Sequence, residues 1–156
     1  MKKLALILLF TSVFVSCHSQ KEAAKAMKAT IGETYFQNWV AGVRGGGSGT
    51  NFYIQCKKPV PKQIILKALY FRDKKSPIHK DSETEYSAGF TGDANKEKAS
   101  DLNPTPIKGQ KVTPPYPITD NEAIIEYSFK GKKAYYKLST IKEQELKAYP
   151  SARPRN

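Results

Sequence analysis

Residues 122–141 carry the sequence feature that most constrains the fold, because apolar and polar residues alternate there on both sides of a Gly-Lys pair. Strict alternation places one set of side chains on one face of a strand, and a leading glycine suits a two-residue type II′ turn. With Gly131 and Lys132 as the turn, Glu126 lies opposite Lys137, a favourable charge pair. The sequence therefore predicts a β-hairpin, with the facing apolar pairs Phe129–Ala134, Tyr127–Tyr136 and Ile125–Leu138.

Aromatic and β-branched residues recur in four further stretches, each bounded by turn-forming residues. Residues 35–43 and 50–56 lie on either side of the glycine-rich segment 45–49, which predicts a hairpin with a loop of five to six residues. Residues 63–72 carry apolar side chains on both faces, as expected of a central strand, and residues 85–91 form a shorter candidate. These stretches extend the β pattern across most of the chain.

Two segments depart from this β pattern. Five prolines between residues 96 and 117 predict an irregular loop, with a short edge strand near residues 107–112. Residues 141–146 predict one or two helical turns, and residues 150–156 predict a frayed basic tail. A chain of 156 residues accommodates one domain. Five to seven strands with almost no helix predict an all-β fold, a small antiparallel β-sandwich or barrel-like domain over residues 35–149.

The first 16 residues have the layout of a secretory signal peptide. Lys2 and Lys3 form a positive start, and residues 4–15 are almost continuously apolar. This apolar run is shorter than the roughly 20 residues that span a bilayer as a helix. A buried first helix is the alternative, but it needs polar positions on every turn, and residues 4–10 offer none. We therefore predict that residues 1–16 are a signal peptide, removed during export.

A cysteine directly after this segment indicates how the chain is processed. Phe14, Val15 and Ser16 precede Cys17 as in a bacterial lipobox, where a small residue stands before the cysteine that becomes the lipidated N-terminus. Leucine is usual at the position of Phe14, and this relaxed form is similar to lipoboxes of Bacteroidetes-type bacteria. The alternative is an ordinary signal peptidase site followed by an incidental cysteine.

The lipobox, the polar segment after it and the strand phrase 35–49 together resemble small uncharacterised lipoproteins of Bacteroidetes-type bacteria. The resemblance implies lipidation of Cys17 by a thioether-linked diacylglycerol and an amide-linked chain such as palmitate, which anchor a protein firmly. Residues 17–34 then form the lipidated N-terminus and a partly helical tether. In related lipoproteins an acid-rich stretch after the cysteine can act as a signal for export to the cell surface. Residues 18–22 carry one acid and one base, which favours a periplasm-facing domain, and the expected location is the outer membrane. The resemblance supplies no catalytic residue.

The excess of basic residues limits the classes of partner. The chain has 26 Lys and Arg against 14 Asp and Glu, and loss of Lys2 and Lys3 lowers its net charge from +12 to +10. An exported protein meets anionic glycolipids and cell-wall polymers rather than nucleic acid. The predicted partners are therefore the membrane through the N-terminal lipid, an anionic glycolipid, a cell-wall polymer or an envelope protein. The alternative is that lysines at strand edges prevent pairing between molecules.

Residues suited to metal or catalytic chemistry are sparse. Cys56 lies on the apolar face of a predicted strand, which predicts a buried, inert thiol, and His79 is the one histidine away from the anchor. The sequence has no Cys-x-x-Cys, no paired-histidine spacing and no nucleophile elbow, so we predict no metal, no cofactor and no catalytic residue. The less favoured alternative is an envelope hydrolase acting on cell-wall or glycan material through Asp120 and Glu122.

Candidate binding residues lie in turns and at basic strand ends. The glycine-rich segment lacks the Lys-Ser/Thr ending and the following helix of a phosphate-binding loop, so it is interpreted as a hairpin loop. Its polar groups and the nearby basic side chains still offer hydrogen bonds and positive charge to a ligand. The predicted binding residues are Arg44, Gly46, Ser48, Lys74 and Lys132. The sequence thus predicts a lipid-anchored envelope protein that binds or scaffolds through a β domain.

Overall fold

The computed structural model describes residues 21–95 and 110–151, which form one helix and two five-stranded sheets. Residues 21–30 form helix α1. The strands are β1 Ile31–Ala41, β2 Ser48–Cys56, β3 Ile64–Phe71, β4 Lys74–Pro77, β5 His79–Lys80, β6 Glu85–Thr91, β7 Gln110–Lys111, β8 Ala123–Phe129, β9 Lys132–Leu138 and β10 Lys142–Tyr149. The first sheet has the order β10-β1-β2-β6-β5 and the second β7-β4-β3-β8-β9. The two sheets pack together, which confirms the predicted all-β sandwich.

The core lies between the sheets and is centred on Phe71 of β3. Its ring centroid lies 5.0 Å from that of Phe36 and 5.3 Å from that of Phe52, both in the first sheet. Phe90 of β6 adds a further ring at 5.9 Å. Tilted aromatic contacts stabilise a fold by about 0.5–1.5 kcal/mol each beyond the area that they bury. Phe71 therefore joins one strand of the second sheet to three strands of the first.

Helix α1 packs against the core, although the sequence analysis assigned its residues to a tether. Ala23, Met27 and Thr30 are spaced i, i+4 and i+7, and all three are buried. Ala23 and Met27 belong to the same core cluster as Phe71. The tether prediction is therefore wrong for residues 21–30, and the strands begin at Ile31. A stripe of two apolar residues and one threonine is too short for the sequence alone to indicate which face is buried.

The two ends of the sandwich carry different features. We call the end beside α1 the proximal end; β1 and β3 begin there, and β2 and β8 end there. Main-chain hydrogen bonds join the segments that meet there. Lys57 N, after β2, donates to Thr30 O at the end of α1 at 2.8 Å, and Lys130 N, after β8, donates to Gln63 O before β3 at 3.0 Å. The opposite, distal end carries the glycine-rich loop between β1 and β2 and the turn between β3 and β4.

The chain crosses from the second sheet to the first at the corner between β4 and β5. β4 pairs with β3, and after Pro77 the chain continues as β5, which pairs with β6. Beside this corner, Ser76 Oγ donates to Gly89 O at 2.7 Å and ties β4 to β6 across the two sheets. Pro77 suits the point of crossing, because proline has no main-chain donor to contribute to a continuing ladder.

The hairpin of β8 and β9 is confirmed, but its predicted register is wrong by two residues. The turn residues are Lys130 and Gly131, with φ of 49° and 80°, as in a type I′ turn rather than type II′. The observed pairs include Phe129–Lys132, Tyr127–Ala134, Ile125–Tyr136 and Ala123–Leu138. Because side chains alternate with a period of two, this shift leaves each residue on its predicted face. The apolar face of the hairpin therefore packs on the core as predicted.

The predicted charge pair between Glu126 and Lys137 does not form in this register. Glu126 lies opposite Tyr135, and its carboxylate instead meets Lys75 Nζ of β4 at 2.9 Å. Lys137 pairs with Glu122 at 2.9 Å. Lys75 therefore takes the place of Lys137 as the partner of Glu126. The sequence of the hairpin alone does not show that β4 lies close by.

Residues 142–149 form strand β10, where the sequence analysis wrongly predicted helical turns over residues 141–146. β10 runs parallel to β1, with pairs from Tyr35–Lys142 to Ala41–Tyr149. Gln37 Nε2 also donates to Glu145 O at 3.1 Å, beside a bulge in the pairing. Lys, Glu and Gln favour a helix over other ordinary residues by only a few tenths of a kcal/mol each. Pairing with β1 outweighs this preference.

The remaining strand predictions agree with the structure. The first hairpin is formed by β1 and β2, β3 is the central strand of the second sheet, and β6 spans the predicted residues 85–91. β7 is the expected short edge strand. The signal peptide, Cys17, residues 96–109 of the predicted loop and residues 152–156 of the tail lie outside the described part. Among the described residues, no helix has the length and apolar character needed to cross a membrane.

Candidate binding surfaces

The glycine-rich loop at the distal end is held by the side chain of Asn95. Asn95 Nδ2 donates to the carbonyl oxygens of Ala41 and Val43, each at 2.8 Å. Its Oδ1 accepts from Gly45 N at 3.0 Å, and its main-chain oxygen accepts from Gly47 N at 2.7 Å. Asn95 itself has a φ of 53°, a conformation that asparagine tolerates better than most residues.

These contacts give structural roles to two of the predicted binding residues. Gly46 N donates to Val43 O at 3.1 Å, and a Cβ at Gly46 would lie 2.6 Å from the Cβ of Ala41, so the loop needs glycine there. Ser48 is buried, and its Oγ donates to Ala94 O at 2.7 Å. The main-chain N–H groups of Gly45, Gly46 and Gly47 are all used within the protein, so they do not form an anion-binding loop.

The other three predicted binding residues fall at opposite ends of the sandwich. Arg44 is exposed at the tip of the distal loop. Lys74 Nζ donates to Thr91 O at 2.7 Å and lies 3.8 Å from Asp93. Arg44, Gly46, Ser48 and Lys74 therefore surround residues 91–95, whereas Lys132 is exposed at the proximal end, where β9 begins. The five residues do not form one site.

A cluster around Glu126, on the outer face of the second sheet, was not predicted from the sequence. Glu126 Oε2 accepts from Tyr70 Oη at 2.8 Å and from Lys75 Nζ at 2.9 Å, and Lys133 Nζ lies 3.4 Å away. Burial alone would raise the pKa of Glu126, but the hydrogen bonds from Lys75 and Tyr70 outweigh it and hold the pKa below its usual value. Two ammonium groups thus share one ionised carboxylate, which leaves an excess positive charge.

Tyrosine rings extend this cluster across the sheet face. Tyr135 makes edge contacts with Tyr70, at a centroid distance of 6.4 Å, and with Tyr116, at 6.0 Å. Lys75 Nζ lies 4.8 Å from the ring centroid of Tyr70, and Lys133 Nζ lies 5.4 Å from that of Tyr135. Tyr116 is 54% exposed. The face therefore combines flat aromatic surface with positive charge, a combination that the alternation of Lys and Tyr in β9 hinted at.

A shallow, open groove lies between the β3–β4 turn and residues 111–118. Arg72 lines it and has a φ of 55°, a strained value for a residue other than glycine. The Arg72 guanidinium lies 4.9 Å from the ring centroid of Phe71 and 5.3 Å from that of Phe36, so it covers the distal end of the core. These contacts explain the turn conformation by packing.

The side chains considered for catalysis or metal binding are ion-paired, buried or far from one another. Glu122 accepts from Lys137 and from Thr119 N, and these hydrogen bonds hold its pKa below the usual value. Cys56 is buried, and burial raises the pKa of its thiol, which agrees with the predicted inert cysteine. His79 is exposed on β5. Within residues 21–95 and 110–151, no three His, Cys, Asp or Glu side chains are grouped to hold a metal.

Comparison with known proteins gives no relative from which a site can be inferred. The chain matches no protein-family model, no curated protein and no solved structure. Among the surfaces of the described residues, the Glu126 cluster combines the exposed ring of Tyr116 with excess positive charge.

Proposed function

We propose that the protein is a lipid-anchored binding protein of a bacterial cell envelope, with Cys17 as the lipidated residue and an outer-membrane, periplasm-facing location. The lipobox and the short apolar run before it support this proposal. Its ligand is an anionic glycan component of the envelope, either a glycolipid or a cell-wall polymer. The binding surface is the outer face of the second sheet around Glu126.

The observation that carries this proposal is the sharing of one carboxylate by two lysines beside the exposed ring of Tyr116 and the half-buried ring of Tyr135. Lys75 and Lys133 both lie within 3.4 Å of Glu126, so one positive charge is left to attract a carboxylate or phosphate of the ligand. Tyr116 and Tyr135 offer flat apolar surface to the C–H faces of a sugar. Glu126, in turn, holds both lysines in place for a ligand.

Binding is tested with purified protein, polygalacturonate as the acidic polymer and dextran as the neutral control, by titration calorimetry. We expect polygalacturonate to bind and dextran not to bind. Lys133→Ala should weaken binding by roughly ten- to a hundredfold, because a hydrogen bond to a charged group contributes about 1.5–3 kcal/mol. Lys142→Ala is the matched control, because Lys142 is also exposed and ion-paired, with Glu33 at 2.7 Å in the other sheet.

Two results would contradict this assignment of the surface. One is equal affinity of the Lys133→Ala and Lys142→Ala variants, and the other is equal binding of dextran and polygalacturonate. The anchor is tested separately by Cys17→Ala, which should move the protein from the membrane fraction to the soluble fraction. An unchanged distribution would disprove the anchor without bearing on ligand binding.

A further inference from the structure

Seven exposed lysines without an ion-pair partner lie at the proximal end. They are Lys21, Lys25, Lys28, Lys57, Lys58, Lys62 and Lys132. No carboxylate in the described ranges lies within ion-pair distance of any of them. Of the described acids at this end, Glu22 pairs with Lys130 at 3.1 Å, Glu33 with Lys142 at 2.7 Å and Glu83 with Lys80 at 2.6 Å. Asp81 and Glu85, in the turn beside Cys56, have no lysine partner, but they are two acids against seven unpaired lysines. This end therefore carries uncompensated positive charge.

The other lysines of the described surface are mostly paired. Seven of them have a carboxylate oxygen at 2.6–3.8 Å, namely Lys74, Lys75, Lys80, Lys111, Lys133, Lys137 and Lys142. Lys67 and Lys147 are the exceptions, and Lys147 lies over the ring of Tyr149 at 5.2 Å. Among the described residues, the unpaired lysines are thus concentrated at one end of the fold, while the exposed Arg44 and Arg72 lie at the other.

Helix α1 contributes a lysine stripe to this end. Lys21, Lys25 and Lys28 are spaced i, i+4 and i+7, the spacing of one helix face. The opposite face carries Met27, which is fully buried in the core. Packing of that face fixes the direction of the lysines, so α1 displays them outwards from the sandwich.

The position of Cys17 brings this end close to any lipid attached there. Four residue steps separate Cys17 from Lys21, and an extended chain covers at most about 14 Å in four steps. Strand β1 has 11 residues and spans about 36 Å from the proximal end towards the distal end. A lipid on Cys17 therefore holds the proximal end near the bilayer, while the distal end is free to lie farther away.

We propose that the unpaired lysines of the proximal end lie against anionic lipid head groups of the membrane that holds Cys17, so that the domain stands with its distal end outwards. This inference rests on the proposed lipid anchor. Each lysine facing an anionic surface favours this orientation by roughly fivefold. The orientation leaves the distal loop and the outer face of the second sheet accessible.

The test uses the purified lipidated chain in vesicles of phosphatidylcholine alone or in equal parts with phosphatidylglycerol. A water-soluble amine reagent then labels lysines, and mass spectrometry gives the rate for each residue. We expect Lys57, Lys58 and Lys62 to label several-fold more slowly in the anionic vesicles, and Lys111 at the distal end to be unaffected. About 1 M salt should restore labelling, because it shortens the screening length to about 3 Å.

A charge variant and a matched control separate the effect of the proximal lysines from that of the lipid attachment alone. The triple variant Lys25→Gln, Lys28→Gln and Lys132→Gln should lower the orientational preference by roughly a hundredfold and raise the labelling rates of Lys57, Lys58 and Lys62 towards those in phosphatidylcholine vesicles. The control variant Lys67→Gln, Lys111→Gln and Lys147→Gln loses the same charge elsewhere and should keep the protection.

Several results would overturn the inference. Equal labelling in both vesicle types, or protection that survives high salt, would show that charge does not orient the domain. Protection by inorganic phosphate in phosphatidylcholine vesicles would indicate a site for soluble anions instead. If the mass of the purified chain lacks the lipid, the proposed anchor is wrong; if the lipid is present and labelling is equal, the orientation alone is wrong.

Discussion

Glu22 and Lys130 lie 108 residues apart in the sequence, and their side chains meet at 3.1 Å. The contact joins helix α1 to the turn between β8 and β9, so the start of the described chain and a late hairpin form one surface. An exposed ion pair of this kind contributes at most about 1 kcal/mol. The pair contributes little energy, but it shows that α1 lies beside the β8–β9 turn at the proximal end.

Met27 should be the residue of α1 that contributes most to stability. It is fully buried in the core, and truncation of a buried methionine to alanine costs about 2–5 kcal/mol. We expect Met27→Ala to lower the free energy of unfolding by that amount in urea denaturation. Lys25→Ala, two positions away and exposed, is the control and should change it by less than about 0.5 kcal/mol. Equal effects would mean that α1 does not pack on the core in solution.

Asn95 should control the order of the glycine-rich loop through its side chain. Asn95→Gly keeps the positive φ accessible but removes the hydrogen bonds to Ala41 O, Val43 O and Gly45 N. We expect a loss of about 1–3 kcal/mol and faster hydrogen exchange at Gly45 and Gly47. Arg44→Gly at the exposed tip is the comparison. Unchanged exchange in Asn95→Gly would contradict the described loop.

The turn between β8 and β9 offers a test of register. In the type I′ turn, Lys130 has a φ of 49°, which asparagine adopts at lower cost. In a Glu22→Gln background, where the ion pair of Lys130 is already absent, Lys130→Asn should stabilise the protein by up to about 1 kcal/mol. Lys132→Asn should not, because Lys132 lies in β9. The register expected from the sequence reverses this ranking, since it makes Lys132 a turn residue. Thermal unfolding of both variants decides between the two registers.

Glu126 should make stability depend on pH in the acid range. Burial opposes its ionisation, but the hydrogen bonds from Lys75 and Tyr70 outweigh burial and keep its folded pKa below the usual value of 4.5. A lowered pKa in the folded state means that the ionised group stabilises the fold above the unfolded pKa. This contribution is lost as the pH falls through the folded pKa.

We therefore expect the free energy of unfolding to decline below about pH 4.5, and Glu126→Gln to reduce that decline. Urea denaturation across the acid range measures both. Glu145→Gln, an exposed acid on β10, serves as the comparison variant. If the pH profiles of the Glu126→Gln variant and the unaltered protein have the same shape, the cluster does not hold Glu126 ionised.

Local sequence patterns predicted where the strands lie better than they predicted which residues pair between strands. Alternation identified the faces of β8 and β9, but two registers that differ by two residues keep the same faces. The expected pair of Glu126 with Lys137 pointed to the wrong register, because the decisive partner, Lys75, comes from β4. The turn at Lys130 also has a partner outside the hairpin, because Lys130 N donates to Gln63 O at 3.0 Å. Non-local partners of this kind are not readable from one hairpin.

The predicted site residues show the same limit. Glycine at position 46 and serine at position 48 looked available for a ligand, yet both are occupied by contacts with the segment before Asn95 or with the loop itself. Which lysines have a carboxylate partner depends on strands brought together by the fold, and so the concentration of unpaired lysines beside α1 emerges only from the structure.

The parallel pairing of β1 with β10 also determines the order in which the first sheet can be completed. β1 lies beside β2 from early in synthesis, but its other edge remains open until residues 142–149 leave the ribosome or an export channel. Contacts across more than 100 residues form slowly, and an unpaired strand edge favours association between chains. The interval before β10 arrives is therefore the stage at which this chain is most open to misassembly.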